Sequence, residues 1–129
     1  MAKMTAGQFV LSLLREFPAL REELDDESVK GLLHMEMGCF FRLTQQAIDD
    51  EDEATVKKCF QFADSVFHDA DSDLTNALYV SYLEHLNFKD GRKRRQWAYS
   101  KLPAKLQAGF REINEYMDDV FRRGEKRKS

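Results

Sequence analysis

The chain has 129 residues, 43% of them hydrophobic and 33% charged, with a formal net charge of −3. That length fits one domain able to bury a core without disulfides or a structural metal, and the composition excludes both a disordered chain and a membrane span, since no apolar run approaches the roughly 20 residues a bilayer crossing requires. The charge is unevenly divided: residues 1–73 hold seven Lys or Arg against sixteen Asp or Glu (−9), and residues 74–129 hold thirteen against seven (+6), which suggests either a partner chosen by charge or two ends that attract one another.

The first element follows Thr5, which with Gln8 three residues on makes a capping box ahead of an apolar stripe of Phe9, Val10, Leu13, Leu14 and Phe17; a helix is expected over about residues 6–16. Arg15 and Glu16 interrupt this apolar stretch and no small-residue cleavage site follows, so it reads as a helix of the mature protein and the chain as cytoplasmic. Pro18 ends the helix and starts a short turn reaching about Leu24. The acidic cluster Glu22, Glu23, Asp25, Asp26 and Glu27 then leads into a second helix, capped at Asp26 or Ser28. Its stripe of Val29, Leu32, Leu33, Glu36, Met37, Phe40, Phe41, Thr44, Ala47 and Ile48 predicts helix to about Ile48.

Asp49, Asp50, Glu51, Asp52 and Glu53 are five consecutive acids, too repulsive to pack and suited to a solvated turn whose end caps the next helix. That third helix, about 53–68, turns Val56, Phe60, Ala63 and Phe67 inward, with Cys59 and Val66 beside them. Cys39 and Cys59 read as small buried hydrophobes, and a disulfide between them is not expected in a cytosolic protein.

The segment DSDLTNALYVSYLEHLNF, Asp71–Phe88, reads as a helix over about residues 72–87 that is apolar on two adjoining faces and therefore packed on several sides. Beyond it, Lys89, Arg92, Lys93, Arg94 and Arg95 form a basic loop running into a short helix with Trp97, Tyr99 and Leu102. Pro103 opens a last helix with the stripe Leu106, Phe110, Ile113, Met117, Val120 and Phe121, stopped at Gly124. The expected fold is thus all-α: a single domain, residues 1–124, of five to six helices, with antiparallel helical hairpins around a central buried helix and a loose basic tail at 125–129. HEAT-like or tetratricopeptide-like stacking is compatible with the helix lengths, although no residue pattern repeats at a fixed period.

Sites for chemistry are scarce. Asp69-Ala-Asp71-Ser-Asp73 opens like a calcium loop, but the sixth position is Leu74 rather than glycine and the twelfth is Val80 rather than glutamate. His34, His68 and His85 form no ligand pair, Glu84 and His85 point about 100° apart on a helix, and no phosphate loop or nucleophile elbow is present. Neither catalysis nor a cofactor or metal is expected. Two binding surfaces remain. One is acidic: Glu22, Glu23, Asp25, Asp26, Asp49, Asp50, Glu51, Asp52 and Glu53, near opposite ends of the second helix, imitating a polyanion toward a basic partner. The other is basic: Lys89, Arg92, Lys93, Arg94 and Arg95 with Trp97, offering phosphate contacts and a ring for stacking, and hence a nucleic-acid-binding or regulatory protein.

At Asn76–Leu86, NALYVSYLEHL, followed by Trp97-Ala-Tyr-Ser-Lys-Leu-Pro103, the sequence resembles a family of small all-helical bacterial proteins, some of them similar to immunity proteins of polymorphic toxin and contact-dependent growth inhibition systems. The resemblance spans about residues 53–121 and is carried by Phe60, Ala63, Leu83, Glu84, Leu86, Trp97 and Pro103. It implies a cytoplasmic protein that binds and neutralises a cognate toxin; the acidic segments suggest a toxin of basic nuclease type, no membrane partner is expected, and Met, Phe and Tyr on more than one face allow a homodimer as well as a monomer. It carries over no binding residue, because immunity interfaces vary between pairs.

Overall fold

The computed structural model describes residues 3–87 and 94–113, and all regular structure in them is helical. Seven α-helices occur among the described residues: α1 (Ala6–Glu16), α2 (Arg21–Asp25), α3 (Leu33–Asp49), α4 (Glu53–Asp69), α5 (Ser72–Ser81), α6 (Arg94–Lys101) and α7 (104–113). Short 3₁₀ turns at Pro18–Leu20 and Leu83–His85 complete the set. None of these helices is long and apolar enough to cross a membrane.

α1 starts where its capping box predicts. Thr5 Oγ1 accepts the Gln8 N–H at 3.3 Å and Gln8 Oε1 accepts the Thr5 N–H at 2.9 Å, so two free donors of the first turn are satisfied reciprocally. Phe9 and Leu13 face inward, and Phe17 follows them into the core before Pro18 turns the chain. The residues just ahead of α1 are also tied down. Met4 donates its N–H to the Asp69 carbonyl (2.7 Å) and accepts the Asp71 N–H (2.9 Å), an isolated parallel bridge.

α3 is the hub, packing against α1, α2, α4, α5 and α6. Its inner face buries Met37, Cys39, Phe40, Thr44, Ala47 and Ile48. Aromatic rings carry the contact outward: Phe40 lies edge-on to Phe62 of α4 (5.3 Å between centroids) and stacks flat on Tyr82 (4.6 Å), while Phe62 also meets Phe9 at 6.1 Å and Phe17 at 5.8 Å. One connected set of rings thus links α1, α3, α4 and the end of α5, each pair adding about 1 kcal/mol to the area it buries. A stack of helix pairs would join each pair only to its neighbours. One helix touching five others is instead a compact bundle, so the solenoid-like expectation gives way.

Two boundaries differ from expectation, for local reasons. α3 begins at Leu33 rather than near Asp26, because the Asp26 carboxylate accepts the Ser28 N–H (2.8 Å) in a side-chain turn and Gly31 takes φ +80°. The Gly31 N–H is then received by the carboxylate of buried Glu36 at 3.3 Å. The element expected at 72–87 stops at Ser81. Tyr82 leaves the helix at φ −128°, ψ −72°, and the chain tightens into the 3₁₀ turn. Across the break Tyr82, Leu83 and Leu86 are all buried in the core. Tyr82 is wholly buried, with its hydroxyl 3.0 Å from Thr44 Oγ1, and Thr44 in turn donates to the Phe40 carbonyl. The outer face of α5 also departs from expectation: the helix packs against α1, α3 and α4, but Val80 is 43% exposed, and α3 rather than α5 is the central element.

α6 and α7 complete the core with Ala98, Leu102 and Leu106, and α6 rests on α3 and α4. Close approach at α7 depends on Gly109, where a Cβ would lie 2.7 Å from the Tyr79 ring. The expected basic tail, 125–129, lies outside the described residues.

Candidate functional site

The turn between α3 and α4 carries the densest charge in the described chain and has a defined geometry. The Asp52 N–H bonds the Ala47 carbonyl (2.9 Å) and the Glu51 N–H bonds the Ile48 carbonyl (3.1 Å), the paired closing bonds of a helix that ends in a left-handed residue. That residue is Glu51, at φ +58°, the one non-glycine residue with positive φ among the described residues. Glycine usually stands there, because a side chain in this conformation costs roughly 1–2 kcal/mol. Asp52 then caps α4, accepting the Thr55 hydroxyl at 2.6 Å and the Thr55 N–H at 3.2 Å. These bonds, the hydroxyl's first, hold the Asp52 carboxyl below its ordinary value.

The neighbouring acids are fixed from their own helix or paired. Gln45 Nε2 donates to Asp49 (3.1 Å) and Gln46 Nε2 to Asp50 (3.0 Å). Glu53 pairs with Lys57 (3.4 Å) on its own helix and with Lys101 of α6 (3.6 Å). All five acids stay exposed, so the turn presents ordered carboxylates to solvent.

The other acidic group lies nearer than its place in the chain implies. α2 folds back on α3, and Glu23 meets Arg42 at 3.3 Å. Arg42, Gln45 and Asp49 follow one another at i, i+3 and i+7, a single stripe of α3, so the Glu23 contact stands two turns, about 10 Å of rise, from the acidic turn. Glu23 therefore stands over the same stripe of α3 that carries Asp49. Asp25 pairs with Arg21 (3.7 Å), Asp26 serves its Ser28 turn, which holds its carboxyl below the ordinary value, and Glu22 is exposed. Gln45 also fixes Asn87, donating to its carbonyl (3.3 Å) and accepting its N–H (3.0 Å).

Most of the basic group falls outside what the structure describes. Lys89, Arg92 and Lys93 lie outside the described residues, as do the side chains of Arg94 and Arg95, whose backbone opens α6. Trp97 is half-buried against the core, which leaves only part of its ring for stacking.

Among the described residues no three of His, Cys, Asp and Glu gather as a metal-ligand set. Within the calcium-like spacing, Asp71 caps α5 by accepting the Leu74 N–H at 2.9 Å. Cys39 and Cys59 are free and buried; burial pushes the Cys59 thiol up to about 11 and raises Cys39 against the opposing pull of Arg42, so neither is a ready thiolate nucleophile. His34 Nδ1 lies 2.6 Å from Ser81 Oγ, a tie between the start of α3 and the end of α5 that no sequence pattern announces.

Residues 10–123 match the model of a domain of unknown function, DUF7674. No curated protein and no solved structure matches the chain.

Proposed function

We propose, for a chain that belongs to the DUF7674 family of domains of unknown function, that it is a non-catalytic protein-binding module whose acidic α3–α4 turn docks on a basic protein surface. The observation that carries this reading is Glu51: an exposed carboxylate held at a left-handed position where glycine would be more stable, inside a turn whose flanking acids are already oriented. Ordered carboxylates lose little freedom on binding, and a dense negative edge speeds encounter with a positive partner. Asp49 to Glu53 supply the centre of the contact, with Glu23 over the same stripe of α3 and Glu22, Asp25 and Asp26 as its proposed extension.

The partner in this proposal is a toxin domain of basic, nuclease type, neutralised in the bacterial cytoplasm by occlusion of its substrate surface. Support for the toxin comes from the resemblance at Asn76–Leu86 and Trp97–Pro103; support for its basic character comes from the acidic face. The test is co-expression. The protein encoded immediately upstream, produced alone, should arrest growth, and this chain should restore it, whereas a chain bearing Asp50→Lys and Glu51→Lys should not. A harmless neighbour, or rescue that survives the double reversal, defeats the reading. So does salt-sensitive binding of RNA or DNA by the purified chain in place of any protein partner.

A further inference from the structure

We propose that a second surface, the groove between the outer face of α1 and the end of α4, docks an acidic, leucine-bearing peptide segment of a partner protein. The groove is open, encloses about 620 Å³ and is lined by Lys3, Met4, Leu11, Arg15, His68 and Asp69 among others. Its walls come from three separate stretches of sequence. The bridge from Met4 to Asp69 and Asp71 brings the amino-terminal segment alongside the end of α4, and the outward stripe of α1 supplies Leu11 and, one turn on, Arg15.

Two observations fix the chemistry of the occupant. The first is charge. Of the seven cations in the acidic half, Arg21, Arg42 and Lys57 pair with carboxylates, and Lys58 lies over the Phe17 ring and donates to the Glu16 carbonyl. Lys3, Arg15 and Lys30 have no such partner among the described residues; Lys30 lies outside the groove, while Lys3 and Arg15 line it, where Asp69 is the single carboxylate against them. The second is apolar surface. Leu11 is 66% exposed, the most exposed large apolar side chain described, and Met4 lies in the same lining. Cations beside exposed aliphatic groups match a segment that alternates carboxylates with leucine-like side chains. The one ring in the described lining is the His68 imidazole, and an extended polyanion would run from the groove into the surrounding negative half. A short acidic peptide stays within the groove.

This surface is independent of the acidic turn, so its test leaves the toxin-rescue result untouched. The probe is a short fluorescein-labelled peptide of Glu-Leu-Glu-Glu-Leu composition, titrated with the full chain at low salt and followed by anisotropy. Saturable binding is expected, absent from the same peptide with glutamine in place of glutamate and weakened roughly tenfold by Arg15→Glu and by Lys3→Glu. Both side chains are exposed, so unchanged thermal melts should accompany the loss. Lys30→Glu reverses a cation outside the groove and should leave binding intact. Any of four results overturns the proposal: no saturable binding, equal binding of the glutamine peptide, equal loss from Lys30→Glu, or displacement by inorganic phosphate at matching concentration. Self-association of the chain abolished by Arg15→Glu would overturn it too, by making a second copy the occupant.

Discussion

The two ends of α3 reach the same backbone geometry by different means. Entry passes through Gly31 at φ +80°, where a Cβ would meet nothing within 4 Å, and exit passes through Glu51 at φ +58°. Each turn also holds an aspartate against a hydroxyl residue, Asp26 with Ser28 and Asp52 with Thr55. The entry uses the residue that left-handed backbone favours; the exit keeps a carboxylate there and bears the conformational cost. Stability explains the first choice and not the second, which makes the exit turn the place to look for recognition.

The comparison holds only if both turns hang from one rigid helix, and Phe40 tests that with the largest expected effect. Its ring touches Phe17, Phe62 and Tyr82, so Phe40→Ala should cost about 3–5 kcal/mol in urea unfolding. Hydrogen exchange should rise at both turns together; loosening of only one would mean that α3 is not a common frame. Next in size is Gly31→Ala. With open space around the added methyl, the loss is purely conformational and should reach roughly 1–2 kcal/mol. Glu51→Gly should act in the opposite sense and raise stability by about 0.5–1 kcal/mol, the relief of left-handed strain being offset in part by a freer unfolded chain. Under the proposed function this more stable variant should rescue cells less well. A Glu51→Gly chain that loses stability would remove the argument from strain.

The same contrast explains which features are legible in the residues alone. The start of α1 can be read to the residue because Thr5 and Gln8 form a local, two-way capping signal, and that of α4 because Asp52 follows a helix whose inward stripe has already ended. The late start of α3 and the early stop of α5 are hidden, since each is decided by competition. Val29, Leu32 and Leu33 keep helical spacing through a turn that Asp26 and Gly31 impose, and Tyr82 keeps the α5 periodicity while its ring and hydroxyl are claimed by Phe40 and Thr44 from another helix. The acids of the exit turn are visible as a charge run, but their ordering is not, because Glu51 occupies a position that pattern reading reserves for glycine. The place of Glu23 over the acidic stripe of α3 depends on α2 folding back to Arg42, and the groove joins residues 3 and 69; both are long-range facts.

Acid titration gives the smallest and finest comparison. Asp26 and Asp52 both have carboxyls lowered from 3.8, chiefly by hydroxyl hydrogen bonds from Ser28 and Thr55. For a lowered carboxyl the stabilising contribution is complete above the unfolded value and disappears as pH falls through the folded one, so both turns should weaken below about pH 4 and neither near neutrality. Asparagine accepts the same turn or cap hydrogen bonds without the charge, so Asp26→Asn and Asp52→Asn should melt like the parent at neutral pH but lose less on acidification, and the double variant least of all. Thermal melts from about pH 6 to about pH 2 read this directly. Equal flattening by the two single variants would show that entry and exit are anchored alike, leaving Glu51 as their difference. Flattening by Asp26→Asn alone would mean that the exit carboxylates are not held as the geometry has them, and the case for an ordered acidic face would fall with that result.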